Sequence, residues 1–346
     1  MLTDLHFGEK NNSVEHNESL LDFIDWFIEK CKENQVDQIV CMGDYFHTRN
    51  KLDVLTIDYG REGIMRLKNA YDDVIFLKGN HDLYYKNSNE VSSMNIFKDE
   101  VYLVEDFYCD NDYDGNVNIL YTSWISSPEM WDRLVSRVNK GDVNYIFGHF
   151  EFSGFRMNNH YVMEHGNNHK QLKKADKVFT GHYHKRQEMD NIVYVGTPFP
   201  FNYSDVNDEE RGMCILDTDT DEYWFINSGM NKIVEVDHKT FMTMFENGEL
   251  DNKNYNGLRV KINEDIDETT LNTIQYNLST LEGLSDYKID YTPEKIAEYI
   301  QEEMDIQEVD NIDQFVLDYL DNSGSDSYDK ETLKTLYKEQ IEKETS

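Results

Sequence analysis

The sequence predicts an α/β fold, in which helices cover the faces of mixed or parallel β-sheets. Short apolar runs that end abruptly at glycine recur along the first two-thirds of the chain, as in "QIVCMGDYFH", "VIFLKGNHD" and "NYIFGHF". Such runs are typical of buried strands. Amphipathic segments lie between them, and Glu18 to Lys32 places its apolar side chains on one helical stripe. Alternation of strand and helix favours helices packed on the sheet faces.

The character of the sequence changes near Ile233. The segment "GLRVKINEDIDETTLNTIQYNLSTLEGLSDYKIDY" has the pattern of strand, helix and strand, which predicts a small α+β domain over residues 233–291. From Thr292 onward only acidic, amphipathic helical patterns remain. We therefore predict a main domain over 1–232 and a helical tail over 292–346. Few elements are left to cover the apolar stripes of the tail, so either a partner protein covers them or they fold back on the parent domain.

Composition and charge limit the function. The formal net charge is −35, and a surface this acidic repels DNA, RNA and anionic membranes. A nucleic-acid function would need divalent metals, a local basic strip or a basic partner. No apolar run reaches the roughly eighteen residues of a membrane span, and the N-terminus lacks a signal-peptide pattern. The four cysteines form no CxxC pair, which indicates reduced thiols in a cytoplasmic protein.

Polar residues with metal-binding chemistry follow five predicted strands. They are Asp4 and His6 in "TDLHFG", Asp44 and His47 in "GDYFH", Asn80, His81 and Asp82 in "GNHD", His149 in "GHF", and His182 and His184 in "GHYH". Taken singly, each motif could be a surface turn or a core histidine. Loops at the carboxyl ends of strands in an open α/β sheet converge on one crevice, however. Together the motifs therefore predict a single site.

Mixed histidine, aspartate and asparagine ligands without cysteine suit Mn²⁺, Fe²⁺, Zn²⁺ or Mg²⁺. Two such ions about 3.5–4 Å apart can bind a phosphate diester and activate water, and they need a bridging carboxylate. Asp44 is the expected bridge. The remaining ligands divide into two sets: Asp4, His6 and His184 for one ion, and Asn80, His149 and His182 for the other.

The remaining polar residues of "GNHD" suggest a proton-transfer role. His81 is next to a ligand but is not one itself, so it can approach the scissile phosphate and protonate the leaving oxygen. Asp82 is placed to orient His81. The alternative is that Asp82 is an ordinary solvated turn carboxylate.

These motifs, in this order, resemble the calcineurin-like metallophosphoesterase superfamily. Three features are similar to its SbcD-type DNA double-strand-break repair nucleases: "GDYFH", with His47 where many phosphatases carry aspartate; the segment "YVGTPFPFNYSDVNDEERGMCILDTDTDEYWFI"; and the small domain and tail that follow. The detail of "GHFEFSGFRMN" and "GNHDLYYKN" looks closest to the recombination endonuclease subunits of T-even-like phages. The resemblance spans nearly the whole chain and is sharp to about Phe225.

The resemblance implies a two-sheet core and two Mn²⁺ ions on the seven ligands, with Mg²⁺ or another divalent ion as alternatives. It implies that His81 is the catalytic histidine and that His47 helps to seat the phosphate or the DNA strand. The expected activities are double-strand exonuclease and single-strand endonuclease. The expected assembly is a homodimer through the nuclease domain, with the C-terminal helices bound to an SbcC-like coiled-coil ATPase and the capping domain over residues 233–291 in contact with DNA. The expected location is the host cytosol, with no membrane contact.

Two other functions stay open. A small-substrate metallophosphatase or cyclic-nucleotide phosphodiesterase would use the same metals, but it would need neither His47 nor the C-terminal module. A non-catalytic scaffold would carry eroded ligands, whereas every ligand position is filled.

Several residues carry weaker expectations. Four basic residues near the motifs are expected either to add local DNA affinity or to be plain surface residues: Lys78, Lys86, Lys185 and Arg186. Only three residues precede Asp4, so either the natural start lies upstream or this edge of the site is weakened. Three histidines after "GHFEFSGF" have no assigned role and are expected at the surface: His160, His165 and His169.

Overall fold

A computed structural model describes residues 1–111, 117–157, 161–250, 255–281, 284 and 286–291. The predicted tail over 292–346 lies outside these residues. The residues Met1–Ile262 and Ile266–Asp290 form one compact unit, and a second unit comprises Asn263–Asp265 and Tyr291–Ser346. The predicted α/β class with two packed sheets is confirmed in the first unit.

The first sheet has three parallel strands in the order β1-β2-β3: β1 (Ile39–Met42), β2 (Val74–Leu77) and β3 (Tyr102–Val104). Its outer face is covered by two helices, α1 (Val14–Glu33) and α2 (Val54–Ala70). Side chains alternate across a strand. Ile39 and Cys41 therefore pack against the helices, whereas Val40 and Met42 pack toward the second sheet.

The second sheet has six strands in the order β4-β5-β6-β7-β9-β8: β4 (Phe107–Asn111), β5 (Asn118–Thr122), β6 (Tyr145–His149), β7 (Lys177–Gly181), β8 (Gln187–Met189) and β9 (Ile192–Tyr194). Strands β5, β6, β7 and β9 are parallel. Helix α3 (Pro128–Val138) covers the outer face, on the side of Ile146 and Val178. Phe147 and Phe179 point the other way and fill the space between the sheets.

The residues around Asp4 pair with the neighbouring β1 segment through single backbone contacts. Leu2 is fully buried and forms a parallel bridge with Cys41. The Asp4 amide donates to the Gly43 carbonyl at 3.1 Å, and the His6 amide donates to the Asp44 carbonyl at 3.0 Å. These backbone contacts hold both predicted ligands beside the turn that carries Asp44.

The rest of the described chain forms two further sheets. The antiparallel pair is β10 (Gly212–Asp217) and β11 (Glu222–Asn227), and the three-stranded sheet is β12 (Lys232–Asp237), β13 (Tyr255–Ile262) and β14 (Asp286–Tyr291). Two helices accompany the latter sheet, α4 (His238–Glu246) and α5 (Glu268–Thr280). The expected strand, helix and strand appear as β13, α5 and β14. Together with α4, these elements pack around a separate core that includes Phe241, Val260 and Ile274. The domain boundaries stay a prediction.

Short helical segments complete the description: Glu9–Asn12, which contains left-handed residues, and the 3₁₀ helices Ser93–Phe97, His169–Leu172 and Tyr203–Asp205. Within the described ranges, no helix has the length and hydropathy that a membrane span requires.

Candidate metal centre

Two glycines let the strand ends approach one another. A Cβ atom at Gly79 would overlap the backbone nitrogen and the carboxylate of Asp44. One at Gly181 would overlap the hydroxyl of Thr3 and lie 2.7 Å from Asp4 Oδ2. The glycines of "GNHD" and "GHYH" are therefore required because the carboxylates contact the backbone that carries the next ligands.

The first predicted ligand set is brought together at the amino-terminal edge of the site. One ligand atom from each of Asp4, His6 and His184 lies within 4.8 Å of the others. His6 Nε2 is 3.2 Å from His184 Nε2 and 3.8 Å from Asp4 Oδ1. Asp4 is fixed in turn, because its carboxylate accepts hydrogen bonds from the Thr3 hydroxyl at 2.6 Å and from the His182 amide at 3.1 Å.

The second predicted set lies beside the first. Asp44, His149 and His182 also present ligand atoms within 4.8 Å of one another. The side-chain oxygen of Asn80 is 2.8 Å from His182 Nδ1 and 3.2 Å from His149 Nε2. Asp44 Oδ2 lies 3.3 Å from His149 Nε2 and 3.7 Å from His6 Nε2. The Asp44 carboxylate therefore stands between the two sets, where a bridging ligand is needed.

The donor set fits divalent cations. His149 Nδ1 is 2.7 Å from the Met42 carbonyl, which fixes the proton on Nδ1 and leaves Nε2 as the ligand atom. The facing Nε2 atoms of His6 and His184 give each other at most one hydrogen bond, and a cation would satisfy both. Oxygen and imidazole donors without thiolate suit Mn²⁺, Fe²⁺, Zn²⁺ or Mg²⁺.

The ionisation of the cluster reflects burial and the two carboxylates. Burial disfavours the charged form of His149, but Asp44 and Asp4 outweigh it and raise the pKa of His149 to about 9. Burial, with His149 beside it, lowers the pKa of His182 to about 3. Burial and His6 lower the pKa of His184 to about 4. His182 and His184 are thus neutral in the absence of a metal, whereas His149 would release a proton on binding one.

His81 lies at the half-buried side of the site. Its backbone amide donates to Asp44 Oδ1 at 2.7 Å, and its Nδ1 is 2.6 Å from the carbonyl oxygen of His47. The two imidazole rings stack with centroids 5.5 Å apart. Since the carbonyl can only accept, Nδ1 carries a proton and Nε2 is left for a substrate atom. Burial lowers the pKa of His81 and, to about 4, that of His47.

The carboxylate of Asp82 was expected to orient His81, but its hydrogen bonds are to backbone amides. The carboxylate is fully buried and accepts hydrogen bonds from the amides of Gly79 at 2.8 Å, Phe46 at 3.0 Å and Tyr45 at 3.3 Å. It is therefore not a solvated turn carboxylate, and the ring of His81 is held by the His47 carbonyl instead. Asp82 joins the turn after β1 to the turn after β2. Burial and the nearby Asp44 raise the pKa of Asp82 to about 6.

Several predicted ligands have left-handed backbone conformations. The φ angles are 53° at Asp4, 53° at His6, 50° at Asp44 and 94° at His182. Aspartate, asparagine and histidine tolerate this region better than other non-glycine residues. The local backbone thus favours the residue types that the chemistry also requires.

The expectation for the basic residues is wrong for Lys78. Its side chain is fully buried, and its ammonium group donates to the Asn89 carbonyl at 2.9 Å and pairs with Glu105. Arg186 also has protein partners, since its guanidinium donates to Asn227 and stacks 4.1 Å from the ring centre of Phe225. Lys86 is exposed.

The unassigned histidines are placed as follows. His165 is exposed, as expected. His169 is buried instead, with Nε2 3.0 Å from Asp190. His160 lies outside the described residues. One residue beside the site was not anticipated: the ring of Trp124 lies 5.0 Å from that of His182. The sequence does contain a signal for Trp124, because the run "NILYTSW" resembles the other apolar runs and ends at this tryptophan.

The calcineurin-like phosphoesterase family matches residues 1–186, more than half of the 346-residue chain. The chain belongs to this family. It is accordingly a metal-dependent phosphodiester hydrolase, and the predicted divalent-metal dependence agrees with this membership.

Two individual proteins are similar to this calcineurin-like phosphoesterase. "Exonuclease subunit 1" of Enterobacteria phage T4 is 28% identical over 263 residues, which are 75% of this chain and 75% of the phage protein. The crystal structure of a dimetal phosphatase from Danio rerio matches 57% of this chain and 86% of its own, with 11% identity and a TM-score of 0.39.

Proposed function

We propose that the chain is a two-metal-dependent DNA phosphodiesterase that acts as a double-strand exonuclease and a single-strand endonuclease. The observation that carries this proposal is the 28% identity with a phage exonuclease subunit across three quarters of both chains. The site geometry supports the chemistry, because Asp44 stands between two sets of metal-ligand atoms.

The proposed metal ligands are the seven predicted residues: Asp4, His6, Asp44, Asn80, His149, His182 and His184. Two Mn²⁺ ions on them would supply neutralisation of the phosphate charge and an activated water, as divalent pairs do in other phosphoesterases. The uncharged Asn80 keeps the site less anionic than a carboxylate would, which favours binding of a phosphate diester.

His81 is the proposed proton donor to the leaving oxygen. Its Nδ1 donates to the His47 carbonyl, and this contact stabilises the protonated ring and aims Nε2 away from the protein backbone. The ring of His47, stacked on His81, is the proposed contact for the phosphate or the DNA strand. Asp82 is proposed to position both residues through the backbone of the two turns.

The proposed assembly is the nuclease subunit of an SbcC/SbcD-like complex in the host cytosol. The apolar stripes of residues 292–346 support an ATPase-binding role. Dimerisation through the domain over 1–232 and DNA contact by residues 233–291 are proposed from the family resemblance. Deleting residues 310–346 should release a coexpressed coiled-coil ATPase and leave Mn²⁺-dependent cleavage intact. Copurification of the ATPase with the shortened chain would refute the docking role of the tail.

The activity test compares two substrates under the same conditions. Wild type, His81→Ala and the exposed-histidine control His165→Ala are incubated with Mn²⁺ and either linear duplex DNA or bis-p-nitrophenyl phosphate. We expect the wild type and the control to degrade DNA, and His81→Ala to lose at least about a hundredfold of the rate, as for general-acid residues, with its metal content retained.

Hydrolysis of the small diester with intact DNA, also in the presence of the ATPase, would favour the small-substrate phosphodiesterase. Loss of metal from His81→Ala would show that His81 is a ligand and not the proton donor.

A further inference from the structure

Three aromatic side chains have no role in the proposed chemistry: Trp124, whose ring lies against the centre, and Tyr84 and Tyr85, which follow His81 in the sequence. Tyr84 and Tyr85 follow His81 within four residues and are 48% and 53% exposed. Their rings meet edge to face, with centroids 4.7 Å apart. Trp124 is half-buried at the carboxyl end of β5, with its ring 5.0 Å from that of His182 and 6.0 Å from that of His149. Adjacent exposed aromatic rings form an apolar patch, and such patches mark binding surfaces more often than single exposed residues do.

The aromatic positions are held by one buried polar cluster. The Trp124 amide donates to the Lys78 carbonyl at 2.7 Å, and the Asn89 side-chain amide donates to the Trp124 carbonyl at 3.0 Å. The buried ammonium of Lys78 donates to the carbonyl of Asn89 at 2.9 Å. Asn89 lies in the loop that Tyr84 opens, and the Tyr84 amide closes this loop on the Val91 carbonyl at 3.0 Å. The cluster thus fixes the tyrosine loop and Trp124 to the same strand ends.

Positive charge is sparse at this face, where Lys86 is exposed beside Tyr85. The chain carries a net charge of −35, Lys78 is buried, and Arg186 is bound to Asn227 and Phe225. Aromatic rings bind unpaired bases of any sequence by stacking, and this contribution needs no positive charge. Bases in a duplex are already stacked on each other and do not offer their faces.

We propose that Tyr84, Tyr85 and Trp124 form an aromatic platform that stacks on unpaired bases next to the scissile phosphate. The platform selects single-stranded DNA, or the frayed end of a duplex, over simple phosphate esters. This inference rests on the proposed function, and it deepens it by naming the feature of DNA that the protein recognises.

The test separates stacking from support of the metal site. Binding of a labelled oligo(dT) and of an abasic oligomer of equal length is measured by fluorescence anisotropy in a His81→Ala background, so that no cleavage interferes. We expect the base-containing oligomer to bind at least about tenfold more tightly than the abasic one. Trp124→Ala and the double variant Tyr84→Ala/Tyr85→Ala should each weaken oligo(dT) binding several-fold and leave abasic binding unchanged, and Trp124→Phe should restore part of the loss.

Two exposed aromatics away from the centre serve as controls. Tyr102 is at the amino end of β3, and Trp224 lies on the two-stranded sheet. Tyr102→Ala and Trp224→Ala should bind both oligomers as the parent does. Equal loss of both oligomers in Trp124→Ala would overturn the proposal, because it would show that the indole only supports His182. No difference between the two oligomers in the parent would also overturn it.

Salt dependence provides a second readout. A plot of the logarithm of the binding constant against the logarithm of salt concentration has a slope set by the number of phosphate contacts. Since the platform makes few of them, the magnitude of this slope should be below about 2. A slope of magnitude 5 or more would indicate a basic binding surface and would overturn the proposal. Base-dependent binding without DNA cleavage by the unmodified chain, also in the presence of the ATPase, would leave the platform standing and refute the nuclease function.

Discussion

Replacement of Arg211 by methionine should destabilise the protein far more than replacement of any exposed arginine. Its guanidinium is 2% exposed and donates to Asp205 and Asp208 at 2.9 Å each, and also to Thr197. Removing one partner of a buried ion pair costs about 3–5 kcal/mol, because the remaining charges stay buried and unpaired. With a urea m-value of about 3 kcal/mol per M, the midpoint should fall by roughly 1–1.7 M.

A matched control is available in the same chain. The guanidinium of Arg259 is 18% exposed and pairs with Glu235 and Asp290, which are 21% and 31% exposed. After allowance for solvent screening, Arg259→Met should cost about 1 kcal/mol or less. Urea unfolding of both variants in metal-free buffer, followed by circular dichroism, measures the difference. Equal midpoint shifts in the two variants would refute the reasoning from burial.

The cost of Arg211→Met should also depend on pH. Burial opposes ionisation of Asp208, but Arg211 outweighs it and holds the pKa of Asp208 below its usual value. Its ionised form therefore stabilises the folded protein above the unfolded pKa of about 4, and this stability is lost as pH falls through the lower folded pKa. In Arg211→Met the carboxylates can take up protons instead. The difference in unfolding free energy should shrink between pH 7 and pH 4, and an unchanged difference would contradict the ion-pair explanation.

Three further predictions concern the metal centre. Gly181→Ala should lower the metal content measured by elemental analysis, because the added Cβ would overlap Thr3. The control Gly257→Ala should retain its metal, because the nearest atom to a Cβ there is 3.3 Å away. Asp82→Ala should lower the urea unfolding free energy by about 3 kcal/mol, since three buried amides lose their acceptor at about 1 kcal/mol each; a loss below 1 kcal/mol would show that water replaces the carboxylate. Mn²⁺ at about a hundred times its Kd should stabilise the wild type by about 2.7 kcal/mol for each site that it fills. A thermal shift of the same size in Asp44→Ala would argue against the bridging position.

The sequence was a good guide to the local elements and to which strand ends converge. The strand-end motifs predicted the site because parallel strands of a sheet deliver their carboxyl ends to one edge. Helix α1 begins at Val14, before the predicted Glu18, because Ser13 caps it with a side-chain acceptor that the apolar pattern does not contain.

Contacts between distant segments could not be predicted in this way. The Asp82 carboxylate accepts hydrogen bonds from the amides of Tyr45 and Phe46, nearly forty positions earlier. Nothing in the sequence near Asp82 predicts these partners. Lysine is ordinarily a surface residue. Lys78 is buried because the loop that contains Asn89 packs on it and accepts its hydrogen bond. The nearness of Trp124 to His182 depends on the order of β5, β6 and β7 in the sheet.

The left-handed backbone at the proposed ligands limits how this site could be redesigned for another metal. A change of ion ordinarily calls for new donor atoms, and glutamate or cysteine would be the usual replacements at Asp4, His6 or Asp44. At these φ angles each such residue would add backbone strain on the order of 1 kcal/mol. This strain would come on top of any cost from a side chain whose length does not suit the metal position. Asparagine is the exception, since it tolerates the conformation. Engineered variants should therefore accept Asp-to-Asn exchanges first and should need a remodelled turn before they accept sulfur ligands.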